Sequence, residues 1–503
     1  MYKNTIKLCF YQTFILTFLC NFSISYSQVL NSNWQWLHLL PEWQTDVRLT
    51  NDPAISFTSN NNARNIGTSG NFVHVVWWDF RQGNPEIYYK RSTDEGTSWG
   101  TDTRLTNDTA FSSLPSLSVS GLQLHVVWED RRDANREIYY KRSTDGGSSW
   151  GADLRLTNNF FNSESPCVAV SGSAVHVVWH DDRNVNYEIY YKRSADGGTN
   201  WGSELRLTNA SGNSIYPSVA VIGQVVHVVW WDSRSGPNKT YYKRSTDSGI
   251  NWSADIMLSS DSSDSWDPCI SVSGQNICVA WVDHRHGNGE IYYKRSTDGG
   301  ISWGADTRLT NDPAGSEHPS VSVYSQNVHI VWWETRDGNK EIYYKRSSDG
   351  GLSWEEDTRL TNNPAVSSGN NLAVAGSNVH VVWYDYRDGN PEIYYKRNPN
   401  GNPVGISNNN TGIPKEFSLS QNYPNPFNPI TIIRFSVPKQ SRVTLKVFDT
   451  AGEEVSTPLT DFVLNPGMFE YKFDGNGLAS GVYFYSLYVD GNLVNTRKMV
   501  LIK

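Results

Sequence analysis

The chain has 503 residues, too many for one ordinary domain, and is rich in Gly, Trp and Tyr but poor in Met. That composition favours short strands and turns over long helices. A net charge of −8, with no basic tail or patch, argues against a nucleic-acid partner.

At the N-terminus, Lys3 and Lys7 precede the apolar run LCFYQTFILTFLC, and Ser25-Tyr26-Ser27 offers small residues for cleavage. Residues 1–27 therefore read as an export signal, with the mature chain starting at Gln28. The run is short for a bilayer span, and no later stretch is apolar enough to be one. Cleavage leaves Cys167, Cys269 and Cys278, an odd count that argues against a disulfide scaffold. Cys269 and Cys278 fall on adjacent strands of one hairpin; their pairing is open, and buried free thiols are expected. Their spacing fits no metal site, and no cofactor is implied.

The rest of the chain up to about residue 400 is repetitive. A motif Trp-x-Asp/Glu-x-Arg occurs seven times, as Asp79–Arg81, Asp130–Arg132, Asp181–Arg183, Asp232–Arg234, Asp283–Arg285, Glu334–Arg336 and Asp385–Arg387. Each acid lies 51 residues after the one before. Arg-Leu-Thr-Asn keeps the same interval from Arg104 onward, except that the slot at Met257 reads MLSS, and Arg48 precedes Arg104 by 56. The five extra residues lie in SFTSNNNARN, before His74.

Each repeat contains four strand-like pieces, which in the fourth are PSVAVIG, VVHVVWWD, TYYKRS and the run from Trp252 to Leu258. Four short strands per repeat predict propeller blades, and seven repeats predict an all-β, seven-bladed β-propeller over residues 28–400. The seventh repeat lacks an outer strand of its own. Residues 43–51, WQTDVRLTN, match WGADTRLTN at 303–311, so the N-terminal strand is expected to complete the last blade and close the ring. An Asn- and Pro-rich linker, 401–417, leads to residues 418–503. There, TIIRFSV, VTLKVFD and GVYFYSLYV alternate as in a small β-sandwich.

Ser-x-Asp-x-Gly-x-x-Trp occurs six times, with its acids at Asp94, Asp145, Asp196, Asp247, Asp298 and Asp349. It resembles the Asp-box, or bacterial neuraminidase repeat. That resemblance implies a turn between the two outer strands of a blade. In it Asp and Ser satisfy backbone groups, Gly supplies positive φ and Trp packs beneath. Active sites are usually single, so six copies speak for architecture.

By resemblance to propellers generally, the seven Trp-x-Asp/Glu-x-Arg units lie on the opposite face, where ligands bind. Two readings stay open for them: ties between strand ends or blades, or a ring of sugar-binding groups beside aromatics. The His of His-Val-Val-Trp (His74, His125, His176, His227, His329, His380) sits on separate blades, which favours packing over a shared metal. The residue between Trp and the acid varies: Trp78, Glu129, His180, Trp231, Val282, Trp333 and Tyr384. Blade-specific function or packing drift both account for that. His284 and His286 read as part of an exposed polar loop.

The Asp-box family includes sialidases, and the resemblance implies a six-bladed propeller, three arginines on the sialic acid carboxylate, a Tyr–Glu nucleophile pair and an acid/base Asp. This chain departs from it with seven repeats, no Arg-Ile-Pro element and no evident singular Tyr–Glu pair. The expected function is a secreted or cell-surface propeller binding glycans or other surface ligands opposite the Asp-boxes. A sialidase-type glycoside hydrolase and a scaffold for surface proteins are the alternatives. The tail segments NYPNPFNPITIIRFSVP, GLASGVYFYSLYV and RKMVLIK resemble the type A sorting domain of the type IX secretion system. That implies contact with this machinery and a secreted or outer-surface location, with removal of the tail left open.

Overall fold

Every regular element among the described residues is a β-strand. The structure is a computed structural model describing residues 43–59, 63–259, 262–399, 401, 406–408, 414–439, 441–464, 467–475 and 478–503. The expected export signal lies outside the described residues.

The fourth repeat shows how the sequence builds a sheet. Ser214–Ile222, Val225–Asp232, Lys239–Ser245 and Ile256–Met257 pair in that order as an antiparallel meander. Successive side chains of a strand point to opposite faces. Val226, Val228 and Trp230 therefore pack against the third repeat, while Val229 packs against Ile277, Val279 and Trp281 of the fifth. Both faces are buried, which is why the strand reads as one apolar run rather than an alternation. Burying a ring such as Trp230 stabilises by about 4–6 kcal/mol as an upper bound.

The outer strand is shorter than the expected run from Trp252 to Leu258. Only Ile256 and Met257 pair with the third strand. Trp252 instead packs edge-on against Tyr191 of the third repeat, with ring centroids 5.0 Å apart. Asp255 turns inward to Arg234 and Lys243.

Sheets of this kind recur through residues 43–398. The last of them takes its outer strand from the N-terminal side, where Val47 and Arg48 pair with Tyr395 and Tyr394. Leu49, Ile66, Val75 and Trp77 share a core with Val382 and Ile393. In the first repeat the inner strand is split into Ser56–Phe57 and Ile66–Ser69, with the five-residue insertion between.

Farther on, two four-stranded sheets share a core that includes Ile433, Phe435, Val443, Leu445, Tyr485 and Leu487. Ile406–Asn408, inside the expected linker, pairs with the strand Gly467–Asp474. Such pairing uses backbone groups, so it leaves no side-chain periodicity to read.

Candidate ligand site

Each Trp-x-Asp/Glu-x-Arg unit closes on itself. Asp79 is fully buried and accepts from Ser56 Oγ (2.7 Å), Trp77 Nε1 (3.1 Å), the Arg81 amide (2.8 Å) and its guanidinium (2.7 Å). Burial alone would raise the Asp79 carboxyl, but the bonds from Arg81 and Ser56 outweigh it and hold it below the ordinary value. Arg81 also donates to Asp102 (2.7 Å) and lies 4.3 Å from the centroid of the Tyr88 ring. Asp130–Arg132, Asp181–Arg183, Asp232–Arg234, Asp283–Arg285, Glu334–Arg336 and Asp385–Arg387 repeat this pairing, each acid fully buried. The second acid comes from the segment before the outer strand, as Asp153, Glu204, Asp255, Asp306 and Asp357. For Arg387 it is Asp46. The fourteen residues form separate clusters, one to a sheet.

The Ser-x-Asp turns lie at the other end of the sheets, since Ser92 pairs with Val73 while Asp79 pairs with Glu86. In the third repeat Ser194 Oγ donates to Asp196 (2.7 Å) and accepts from the Gly198 amide (2.9 Å). The Asn200 amide and side chain also donate to Asp196, and these bonds draw its carboxyl down to about 2. Asp94, Asp145, Asp247, Asp298 and Asp349 accept the same serine bond. Gly198 has φ +81, and a Cβ there would stand 1.8 Å from the Tyr140 hydroxyl of the preceding repeat. The turn is committed to its own backbone and to the neighbouring sheet.

The histidines before the Trp are buried, and each meets a tyrosine hydroxyl of the third strand, as His74 meets Tyr89 at 2.7 Å. In the fifth repeat Cys278 makes this contact with Tyr293 at 3.1 Å. Cys167, Cys269 and Cys278 are buried and unpaired. Cys269 faces Ala280 and Cys278 faces Ser271, two positions apart in register.

A different set of residues breaks the repetition. At the carboxylate end of the sheets of repeats two to seven the inner strand bulges, as between Ser113 and Ser116 or Ile215 and Ser218. The bulged residue takes positive φ: Leu114 (51°), Ser165 (52°), Tyr216 (51°), Asp267 (50°), His318 (53°) and Gly369 (67°). A left-handed backbone is unfavourable for all of these but glycine, and a bulge re-aims the side chain it carries. Here the repeats differ in chemistry at every step, and so do their neighbours.

Glu129 is 3% exposed and forms an ion pair with Arg136, Oε1 to Nε 3.1 Å. Burial pushes its carboxyl up to about 7, against the pull of Arg136. Arg136 also donates to Glu164, which faces His180 Nε2 at 3.4 Å. The His180 ring stands edge-on to Tyr187 at 5.1 Å and to Tyr216 at 5.4 Å; Tyr216 in turn lies 6.0 Å from Trp231. Burial raises the Tyr216 hydroxyl, and the charges of Asp267, Glu164 and Glu129 raise it further. Asp267 stands 3.3 Å from His318, itself 5.9 Å from Trp333, whose ring Lys340 caps at 3.6 Å. Phe57 packs against Trp78 and Tyr384 at 5.1 and 5.0 Å.

The variable column Trp78, Glu129, His180, Trp231, Trp333, Tyr384 thus contributes to this lining. Sequence reading missed Arg136, Glu164, Tyr216, Asp267, His318 and Lys340. A signal was present: between the recurring Ser at 112, 163, 214, 265, 316 and 367 and the near-constant Pro at 115, 166, 217, 268 and 319, the residues change from repeat to repeat. The His284 ring lies tilted against Trp266 at 4.7 Å, and His286 meets the Tyr292 hydroxyl at 2.7 Å.

Residues 421–503 match the family of secretion system C-terminal sorting domains. This tail is a type IX sorting domain. It marks the chain for export, with secretion or attachment at the outer cell surface. No helix among the described residues is long and apolar enough to cross a membrane.

No curated protein matches the chain. Among solved structures, polysaccharide lyase Uly1 is similar at TM-score 0.50 and 9% identity, covering 71% of this chain and 99% of that one. Phage phi92 endosialidase is similar at TM-score 0.45 and 11% identity over 91% and 87%. A Trypanosoma rangeli sialidase mutant displaying trans-sialidase activity gives 0.41 and 10% over 91% and 90%. At 9% identity the likeness to the lyase is one of fold.

Proposed function

We propose that residues 28–400 form a closed seven-bladed Asp-box propeller that binds a glycan at the bulged ends of its inner strands. The linker 401–417 and the sandwich 418–503 then serve its export. Closure is supported by the pairing of Val47 and Arg48 with the last repeat and by the seam between first and last sheets.

One observation carries the ligand reading: an identical frame surrounds a lining that differs in every repeat. The seven Asp/Glu–Arg units hold the face, each with its carboxylate spent on its own Trp and Arg and, in all but Glu334, on its own Ser. The lining alternates flat rings, such as Tyr216, Trp231 and Trp333, with hydrogen-bonding groups, such as Glu164, Asp267, His318 and Lys340. Rings offer apolar faces to sugar C–H surfaces, and the ionisable groups exchange hydrogen bonds with hydroxyls. Export brings this face to extracellular saccharides.

The test is a glycan array with the purified chain, repeated with Trp231→Ala and Glu164→Gln. Enrichment for a saccharide class that both variants lose supports the reading. A blank array, with capture of a surface protein instead, favours the scaffold.

The alternative reading is sialidase-type hydrolysis, with Tyr216 of the lining as nucleophile; burial and the charges of Asp267, Glu164 and Glu129 keep its hydroxyl protonated, so a general base would have to take that proton. Turnover of a fluorogenic sialoside that Tyr216→Phe abolishes would establish it, and absence of turnover would exclude that substrate.

A further inference from the structure

We propose that Arg64 receives a small anion, a carboxylate or oxyanion, in the channel between the inner strands, on the side of the Ser-x-Asp turns. The proposal does not depend on the glycan reading.

The insertion of the first repeat places this arginine. Ser59 Oγ donates to the Pro115 carbonyl at 2.7 Å, and Asn65 Nδ2 donates to the same oxygen at 2.9 Å. The Arg64 carbonyl accepts from the Leu117 amide at 2.7 Å. The insertion is thereby fixed to the second repeat while its arginine crosses to the fifth, where Nη2 donates to the Ile270 carbonyl at 2.7 Å.

Among the described residues that is the only hydrogen bond of this guanidinium, and none of them forms an ion pair with it. A guanidinium has five N–H donors, and a partly buried cation without a counter-charge is unfavourable. Residues 60–62 are all asparagine and supply none. Asp267 is turned to His318. The thiols of Cys167 and Cys269 lie within reach of the Arg64 charge, but burial pushes both up, Cys269 to about 12, so neither is a thiolate at neutral pH.

Beside Arg64 is a cavity of about 160 Å³, to which Thr68, Ser118 and Ser322 bring hydroxyls and Val119 and Leu372 bring apolar wall. Hydroxyls can donate to an anion, and apolar walls strengthen its attraction to the guanidinium. The space is large enough for a small anion together with several waters.

The test uses crystals of the full chain soaked in selenate, whose selenium locates an oxyanion by anomalous scattering. Calorimetric titrations with sulfate and with acetate at constant ionic strength separate inorganic oxyanion from carboxylate. The expected result is a selenium peak beside Arg64 and anion affinity about tenfold or more weaker in Arg64→Met, partly kept in Arg64→Lys. No peak at Arg64 in the wild-type crystal, or an affinity unchanged in Arg64→Met, overturns the proposal. The wild-type soak decides it even where Arg64→Met fails to fold. Glycan-array results are scored separately, so a blank array leaves this test standing.

Discussion

Glu129 and Asp130 are chain neighbours with opposite acidities. Asp130 accepts from Trp128, Ser112 and Arg132, which outweigh burial and hold its carboxyl low. Glu129 points to the other side of the strand, and burial lifts it to about 7. The unfolded chain ionises this residue near 4.5, so folding holds its proton longer than unfolding does. Stability therefore falls as pH rises from 4.5 to 7 and stays reduced above. Glu129→Gln removes that loss: at pH 8 it is expected to be more stable than wild type by about 1–3 kcal/mol, with no gain at pH 4. Urea denaturation at the two pH values checks this, and equal shifts at both would refute it. The Asp–Arg units were legible because they recur. Tyr216 and Asp267 were not, because the bulge displaces them from the alternation by which a strand face is read.

At the scale of elements, the strand pattern was largely legible, since Val, Ile, Tyr and Trp runs recur between Gly- and Asn-rich turns. Two elements differ from that reading for physical reasons. Outer strands shrink to two residues, such as Ile256–Met257, because their Trp packs on the neighbouring sheet. Ile406–Asn408 joins a sheet through its backbone, where no side-chain pattern announces it. The N-terminal strand was legible from WQTDVRLTN. It supplies Asp46 to Arg387 and Lys396 and covers the edge of Glu392–Asn398. Deleting residues 43–50 is expected to lower the melting temperature and to drive self-association through the freed edge. Calorimetry with analytical ultracentrifugation measures both, and an unchanged monomer of wild-type stability would contradict the role given to this strand.

For the whole molecule, the repeated histidines set the response to acid. Burial draws His74, His125, His176 and His227 down to about 4 and His380 to about 3, with a nearby arginine adding to the effect at each. In the unfolded chain they take a proton near 6.5. The unfolded state therefore gains protons first as pH drops, and stability is lost from 6.5 down to about 4. The turn carboxylates, such as Asp196 at about 2, begin to contribute only below that window. The unfolding free energy from urea denaturation is expected to fall between pH 7 and 5, by up to about 1.4 kcal/mol per histidine per pH unit; a flat value would speak against neutral buried imidazoles. The same repetition that makes the fold readable hides its function, because only departures from the repeat distinguish one blade from the next. Those departures are tested most directly by a crystal structure of the exported chain soaked with its strongest glycan-array hit. Saccharide density against Tyr216, Trp231 and Glu164 is predicted. Density confined to the Asp–Arg clusters or to the Ser-x-Asp turns would contradict the assignment of the lining as the ligand site.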